Sequence, residues 1–145
     1  MKESMQLRKI SQDDLFNLKA LQGAKFSPDG NLIVFTVSWI DRETQQETWQ
    51  LFILDLKTKT NRQLTFSCGQ NSAPAWSPDS SSLAFISDRS GTSQVYILSI
   101  AGGEPRQLTH IERGVADEVH WSPDGRYLAF TAPPQVDPIP ADKPF

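Results

Sequence analysis

The sequence has one cysteine and two histidines among 145 residues. A lone thiol, Cys68, cannot form an internal disulfide, and zinc needs about four clustered ligands, which this chain does not supply. No run approaches the roughly 20 apolar residues of a membrane-spanning helix. The N-terminal segment also lacks the apolar stretch of a signal peptide. We therefore expect a soluble, cytoplasmic protein that has no disulfide, metal or cofactor.

An excess of positive charge is also missing, since 14 Lys and Arg stand against 17 Asp and Glu. This balance gives no electrostatic reason to expect nucleic acid or a membrane as a partner. The sequence contains no G-x-S-x-G elbow, Walker loop, dinucleotide fingerprint, EF-hand loop or HExxH helix. The nearest string to an elbow, GTSQV from Gly91, lacks the second glycine. We expect no catalytic, cofactor-binding or metal-binding residues in this chain.

The chain instead writes one block three times: FSPDGNLIVFTV, WSPDSSSLAFIS and WSPDGRYLAFTA. Their first aromatic residues lie at positions 26, 76 and 121, and a second landmark, RQLT, recurs after 44 residues. Periods of about 40–45 residues are typical of propeller blades with four strands each. The signature of each blade is therefore structural, and it comprises Phe26, Ser27, Pro28, Asp29, Gly30, Trp76, Ser77, Pro78, Asp79, Trp121, Ser122, Pro123, Asp124 and Gly125.

SPDG predicts a tight turn, because Pro suits its second position, Asp bonds the local backbone and Gly accepts positive φ. Ser80 occupies the glycine position of the second copy. We expect Ser80→Gly to stabilise the fold by a few tenths to about 1 kcal/mol if φ is positive there. The apolar triplets after the turns, IVF and LAF, indicate strands that are covered on both faces. A third apolar strand and the short RQLT strand complete each blade.

Two further segments surround these repeats. Ser11 as N-cap, Asp14 in a capping box and Ile10 stapled to Leu15 predict a short helix, whose apolar face also includes Leu18 and Leu21. The first repeat carries six more residues than the second between its SPDG turn and its third strand, in SWIDRETQQET. This insertion favours a longer ribbon, stapled by Trp39 and Trp49, over a recognition loop.

Five residues of chemically useful types remain. Asp88 and Arg89 would pair with each other or with a substrate terminus, and a solvated hairpin is the commoner outcome. His120 precedes Trp121, as Ala75 precedes Trp76, which favours a plain strand position. His110 begins a loop between blades, and Cys68 has no base near it in sequence, so we assign neither of them any chemistry.

The predicted fold is all-β: a partial β-propeller of two complete four-stranded blades plus half of a third, preceded by one short helix. The predicted divisions are 1–24 helix and lead-in, 25–66 blade 1, 73–109 blade 2, 118–132 half of blade 3 and 133–145 a proline-rich linker. A propeller closes with about four to eight blades. Either the chain is part of a longer polypeptide or several copies associate.

These residues resemble the prolyl oligopeptidase family of serine peptidases, particularly its acylaminoacyl-peptidase branch. The resemblance rests on ISQDDLFNLKALQGAKFSPDGNLIVFTV, on RQLTF and on the exit AFTAPPQVDP, and it covers roughly residues 6–140. SPDG repeats also occur in TolB-like and WD-like propellers. The resemblance implies a propeller that gates the access of short peptides to an α/β-hydrolase domain in cis. The alternative is a TolB-like propeller that acts as a protein-protein interaction scaffold.

Overall fold

The structure is a computed structural model that describes residues 11–67 and 69–134. It contains a 3₁₀-helix, Gln12–Asn17, followed by ten strands. The strands are β1 Lys19–Phe26, β2 Leu32–Ile40, β3 Glu47–Asp55, β4 Thr60–Gln63, β5 Asn71–Trp76, β6 Ser82–Ser87, β7 Gln94–Ser99, β8 Arg106–Gln107, β9 Ala116–Trp121 and β10 Leu128–Thr131.

These strands form three separate antiparallel sheets, with the orders β1-β2-β3-β4, β5-β6-β7-β8 and β9-β10. Each sheet follows the chain up and down without a crossover, as propeller blades do. We call them blade 1, blade 2 and blade 3, of which the third is half a blade within the described residues. The predicted fold class, an all-β partial propeller, is confirmed. No helix in the described ranges is long and apolar enough to cross a bilayer.

The core lies between the blades rather than inside any one of them. One cluster joins Val34, Leu51 and Ile53 of blade 1 to a set on blade 2 that consists of Trp76, Leu83, Phe85, Tyr96 and Leu98. A second cluster joins the other face of blade 2, including Ala84, Ile86 and Val95, to Val115 and Val119 at blade 3. We call the face that packs on the next blade the trailing face, and the opposite one the leading face. Because both faces of blade 2 are covered, its central strand is apolar throughout, as expected for IVF and LAF segments.

The start of the chain differs in part from its prediction. The Ser11 amide donates to Asp14 Oδ2 at 2.7 Å, which is one half of the expected capping box. The helix, however, is a single 3₁₀ segment that ends at Asn17, and Leu21 lies in β1, where it pairs with Val37. The predicted apolar helix face is therefore wrong, because the ladder with β2 draws Leu21 into the sheet. Ile10, the predicted staple, lies outside the described residues.

The insertion in the first repeat lengthens a ribbon, which is the outcome the sequence favoured. Strands β2 and β3 have nine residues each, against six each in β6 and β7. The predicted staple is wrong, because Trp39 pairs with Thr48 while Trp49 pairs with Ser38. Adjacent residues of a strand point to opposite faces, so the two indoles lie on opposite sides of the ribbon.

Candidate functional site at the blade interfaces

The SPDG turn is a closed hydrogen-bonded unit. In blade 1 the Ser27 hydroxyl donates to Asp29 Oδ1 and accepts the Leu32 amide at 2.9 Å, while the Gly30 amide donates to the Ser27 carbonyl at 2.9 Å. Blades 2 and 3 repeat these bonds, with serine hydroxyl–amide distances of 2.9 Å in both. The serine side chain thus replaces a ladder bond where the strands separate. Sequence reasoning had credited Pro, Asp and Gly with this turn and had missed the serine.

The last turn position requires a left-handed backbone in all three copies. The φ values are +74° at Gly30, +61° at Ser80 and +70° at Gly125. The condition for a strained Ser80 is thereby confirmed. Its hydroxyl also accepts the Asp29 amide at 3.1 Å, which joins the turns of blades 1 and 2.

The turn carboxylates are held in their ionised form. Hydrogen bonds, with that from the neighbouring serine hydroxyl as the largest cause, lower the pKa values of Asp29, Asp79 and Asp124 below the ordinary value for aspartate. A carboxylate that accepts several hydrogen bonds loses them on protonation, which is why its pKa falls. These groups are therefore unsuited to act as general acids near neutral pH.

The aromatic residue before each turn joins one blade to the previous one. Trp76 Nε1 donates to the carbonyl of Lys25 at 3.1 Å, and Trp121 Nε1 donates to the carbonyl of Ala75 at 3.1 Å. Both acceptors immediately precede the aromatic residue of the earlier blade. We call this bond the indole latch. Phe26 holds the same position in blade 1 but has no N–H group, and it is 66% exposed.

The RQLT segment closes each blade through a threonine. The Thr65 hydroxyl accepts the Leu51 amide at 2.9 Å and donates to Gln50 Oε1 at 2.7 Å. Thr109 makes the same two bonds, with Val95 and Gln94, at the same distances. Sequence reasoning missed both glutamines, although Gln50 and Gln94 are separated by the same 44 residues as the two RQLT segments.

Arg89 belongs to a polar bridge between blades 1 and 2. Its Nη2 donates to Asn71 Oδ1 at 2.7 Å, and Asn71 Nδ2 donates to the Trp49 carbonyl and to Gln50 Oε1, both at 3.1 Å. The guanidinium also stacks 4.8 Å from the Tyr96 ring centroid. Burial lowers the pKa of Arg89, but an arginine remains protonated. Arg89 therefore has a structural role at this interface.

Asp88 serves a different partner, since its Oδ1 accepts the Gln70 amide at 2.7 Å. A Cβ at Gly69 would collide with this carboxylate, and φ there is +119°. The position consequently requires glycine. Asp88 and Arg89 thus stabilise the connection between blades, each with its own bonds rather than as the pair considered from the sequence.

The histidines lie apart from each other. His120 Nε2 is 3.1 Å from Glu118 Oε2, and both side chains are about two-thirds exposed. His110 is exposed in the connection between β8 and β9. Cys68 lies outside the described residues. Within residues 11–67 and 69–134, no three His, Cys, Asp or Glu side chains are placed to share a metal ion.

An open cavity of about 600 Å³ lies between the long ribbon and the β4–β5 connection. Trp39, Phe66 and the carboxylates of Asp41, Glu47 and Asp88 are among its lining. Asp41 accepts the Thr44 amide at 2.9 Å, which together with the Thr44 hydroxyl lowers its pKa. The Asp41 and Asp88 carboxylates therefore fix the two loops that bound the cavity.

The ribbon also holds the start of the chain. The Arg42 guanidinium lies 5.2 Å from the Phe16 ring centroid, and its Nη2 is 3.7 Å from Asp13 Oδ1. Cation–π and exposed ion-pair contacts of this kind each contribute up to about 1 kcal/mol. The extra residues of the first repeat thus anchor the 3₁₀-helix.

Repeated sheets, indole latches and threonine closures together define an incomplete β-propeller. The PD40 model, described as the TolB beta propeller domain, matches residues 5–137. The chain belongs to this family.

Two curated relatives and one solved structure are similar to the chain. The uncharacterized peptidase YuxL of Bacillus subtilis (strain 168) is 37% identical over 123 residues, which are 84% of this chain and 19% of the relative. Dipeptidyl-peptidase 5 of Porphyromonas gingivalis is 36% identical over 122 residues, 84% of this chain and 18% of the relative. The acylaminoacyl peptidase of Pyrococcus horikoshii superposes with a TM-score of 0.64 at 18% identity, over 79% of this chain and 17% of that one.

The chain spans about a fifth of the length of these relatives. The recognition of a propeller from a peptidase family is confirmed by the family model and by the names of the relatives. The likeness to the solved acylaminoacyl peptidase concerns the fold alone.

Proposed function

We propose that this chain is the N-terminal propeller portion of a serine oligopeptidase, in which it restricts access to an α/β-hydrolase domain of the same polypeptide. The observation that carries the proposal is the match to peptidase YuxL, which covers 84% of this chain and 19% of the relative. The remaining four-fifths of such a protein has room for further blades and for a hydrolase domain. Short peptides would reach that domain, whereas folded proteins would be excluded by size.

The chemistry of the described residues supports a non-catalytic role. The turn aspartates are kept ionised by hydrogen bonds, and Arg89 and Asp88 are engaged in joining the blades. We expect the 145-residue chain alone to give no turnover of acyl-peptide or aminoacyl-nitroanilide substrates. Turnover that survives stringent purification and is lost on mutation of one residue of this chain would contradict this.

The test of the gating role begins with the reading frame beyond codon 145. The proposal expects more blades and then a G-x-S-x-G elbow. The product of the full reading frame should cleave an acylated tripeptide while leaving an unfolded, reduced protein chain of over 100 residues intact. Deletion of the propeller should remove that size limit. Equal cleavage of both substrates by the full product, with the propeller present, would refute the gating role.

The alternative is a binding propeller that recruits other proteins. The description of the matching family, a TolB propeller domain, is the observation in its favour. This alternative expects further SPDG blades followed by a stop codon, with no elbow. It also expects purification of the full product from its own cells to recover a stoichiometric protein partner.

A further inference from the structure

Blade 1 presents an apolar leading face that no described residue covers. Strand pairing puts Leu21 beside Val37 and Phe26 beside Ile33, so β1 and β2 contribute to the same face. Phe35 and Phe52 stack at its centre, with centroids 5.9 Å apart. The whole face comprises Leu21, Phe26, Ile33, Phe35, Val37, Phe52 and Leu54.

The next blade shows what such a face is made to contact. Phe85 and Tyr96 of blade 2 stack in the same way, also 5.9 Å apart, and are buried against blade 1. The surface that covers them is aliphatic and includes Val34 and Leu51, both fully buried. By continuity with this interface, the leading face of blade 1 fits the aliphatic trailing face of another blade.

A second copy of this chain would have to offer the trailing face of blade 3, and that face is charged. Glu118 and His120 stand three and one residues before Trp121, where blade 2 has Ala73 and Ala75. The alanines pack against the second core cluster, whereas Glu118 and His120 form an ion pair. Blade 1 does carry Lys25 at the later position, but that side chain is exposed and stands alone.

Covering the ion pair with Phe35 and Phe52 would remove it from water without supplying new hydrogen bonds. Such desolvation costs several kcal/mol per ion unless the geometry compensates. The closing contact would also lack an indole latch, because Phe26 has no N–H to donate. It must therefore depend on apolar contact, which is the term that the charged face weakens.

We propose that the leading face of blade 1 is a docking surface for a further blade of the same polypeptide that is aliphatic where blade 3 has Glu118 and His120, and that this ion pair prevents a second copy from occupying it. The inference rests on the proposed function only for the origin of that blade. The experiment below uses the 145-residue chain alone, so its result is independent of any peptidase activity.

The test is sedimentation velocity over a concentration series with four chains. These are the wild type, Glu118→Ala/His120→Ala, Phe35→Glu, and the triple variant. The double variant copies the blade 2 pattern, so it should associate head to tail at least about tenfold more tightly than the wild type. Phe35→Glu should abolish that gain in the triple variant and leave the sedimentation of the wild type unchanged. Thermal melts of all four chains serve as the control for folding.

Three results would overturn the proposal. The first is association of the wild type that Phe35→Glu abolishes, because a second copy would then fill the face. The second is a double variant that associates no more than the wild type. The third is a gain that Phe35→Glu does not reverse. If Phe35→Glu lowers the melting temperature, Leu54→Glu on the same face replaces it in the series.

Discussion

Ser80 is the position at which one repeat departs from the rule that the other two obey, and its replacement by glycine can be predicted in free energy. A left-handed conformation costs a residue with a Cβ about 1–2 kcal/mol. Glycine removes that cost but loses about 0.5–1 kcal/mol through its freer unfolded chain. The backbone change alone should therefore stabilise by about 0.5–1 kcal/mol.

The interblade hydrogen bond reduces this gain. The Ser80 hydroxyl accepts the Asp29 amide at the surface, and its loss costs about 0.5 kcal/mol, the lower end for a protein hydrogen bond. Ser80→Gly should thus differ from the wild type by no more than about 0.5 kcal/mol. Ser80→Ala removes the hydroxyl but keeps the strained Cβ, so it is the matched control.

The assay is calorimetric melting of the three chains at one concentration. Relative to Ser80→Ala, Ser80→Gly should melt about 2–4 °C higher, given the size of the chain. If the glycine variant melts no higher than the alanine variant, the left-handed backbone stores no strain at this turn. The same pair of variants at urea midpoints should give the same order.

Three further outcomes are expected from urea unfolding. Trp76→Phe should destabilise by about 1–2 kcal/mol, because it removes the latch to Lys25 and some buried surface, whereas Trp39→Phe outside the blade interface should change stability by less than about 0.5 kcal/mol. Thr65→Val should cost about 1–3 kcal/mol, since it leaves buried Gln50 Oε1 and the Leu51 amide without their hydroxyl partner. The pKa values of the three turn aspartates are lowered in the fold, so their stabilisation is complete above about pH 4 and is lost as the pH falls through the folded-state pKa values; the unfolding free energy of the wild type should drop more from about pH 5 to pH 3 than that of Asp79→Asn/Asp124→Asn, and equal drops would refute this role.

The repeated features could be predicted from the sequence because each copy meets the same demand. A blade must bury both faces of its central strand against its neighbours, so the apolar triplets and the turn recur with the period. The four-stranded order, the incomplete propeller and the strained Ser80 all followed from that recurrence. The longer ribbon followed from counting residues between landmarks.

The wrong predictions concerned segments that occur only once. Nothing else in the chain repeats the start, so Leu21 could be read as a helical position although the long β2 strand pairs with it. Trp39 and Trp49 were joined by residue type, while only the register decides that they lie on opposite faces. Gln50 and Gln94 were missed for another reason: polar side chains inside an apolar strand attract no attention until their hydrogen bonds are known.

The repeated and unrepeated residues carry different kinds of information about function. The serine of the turn, the threonine of RQLT and the indole latch make the same bonds in successive blades, so they cannot distinguish one blade from another. A property that belongs to this protein in particular must depend on residues that differ between the copies. Those residues are the long ribbon with its cavity, the phenylalanine that replaces a tryptophan in blade 1, and the ion pair on blade 3. Two of these three lie on the open faces of the partial propeller, and so the specificity of its assembly is concentrated where the blades end.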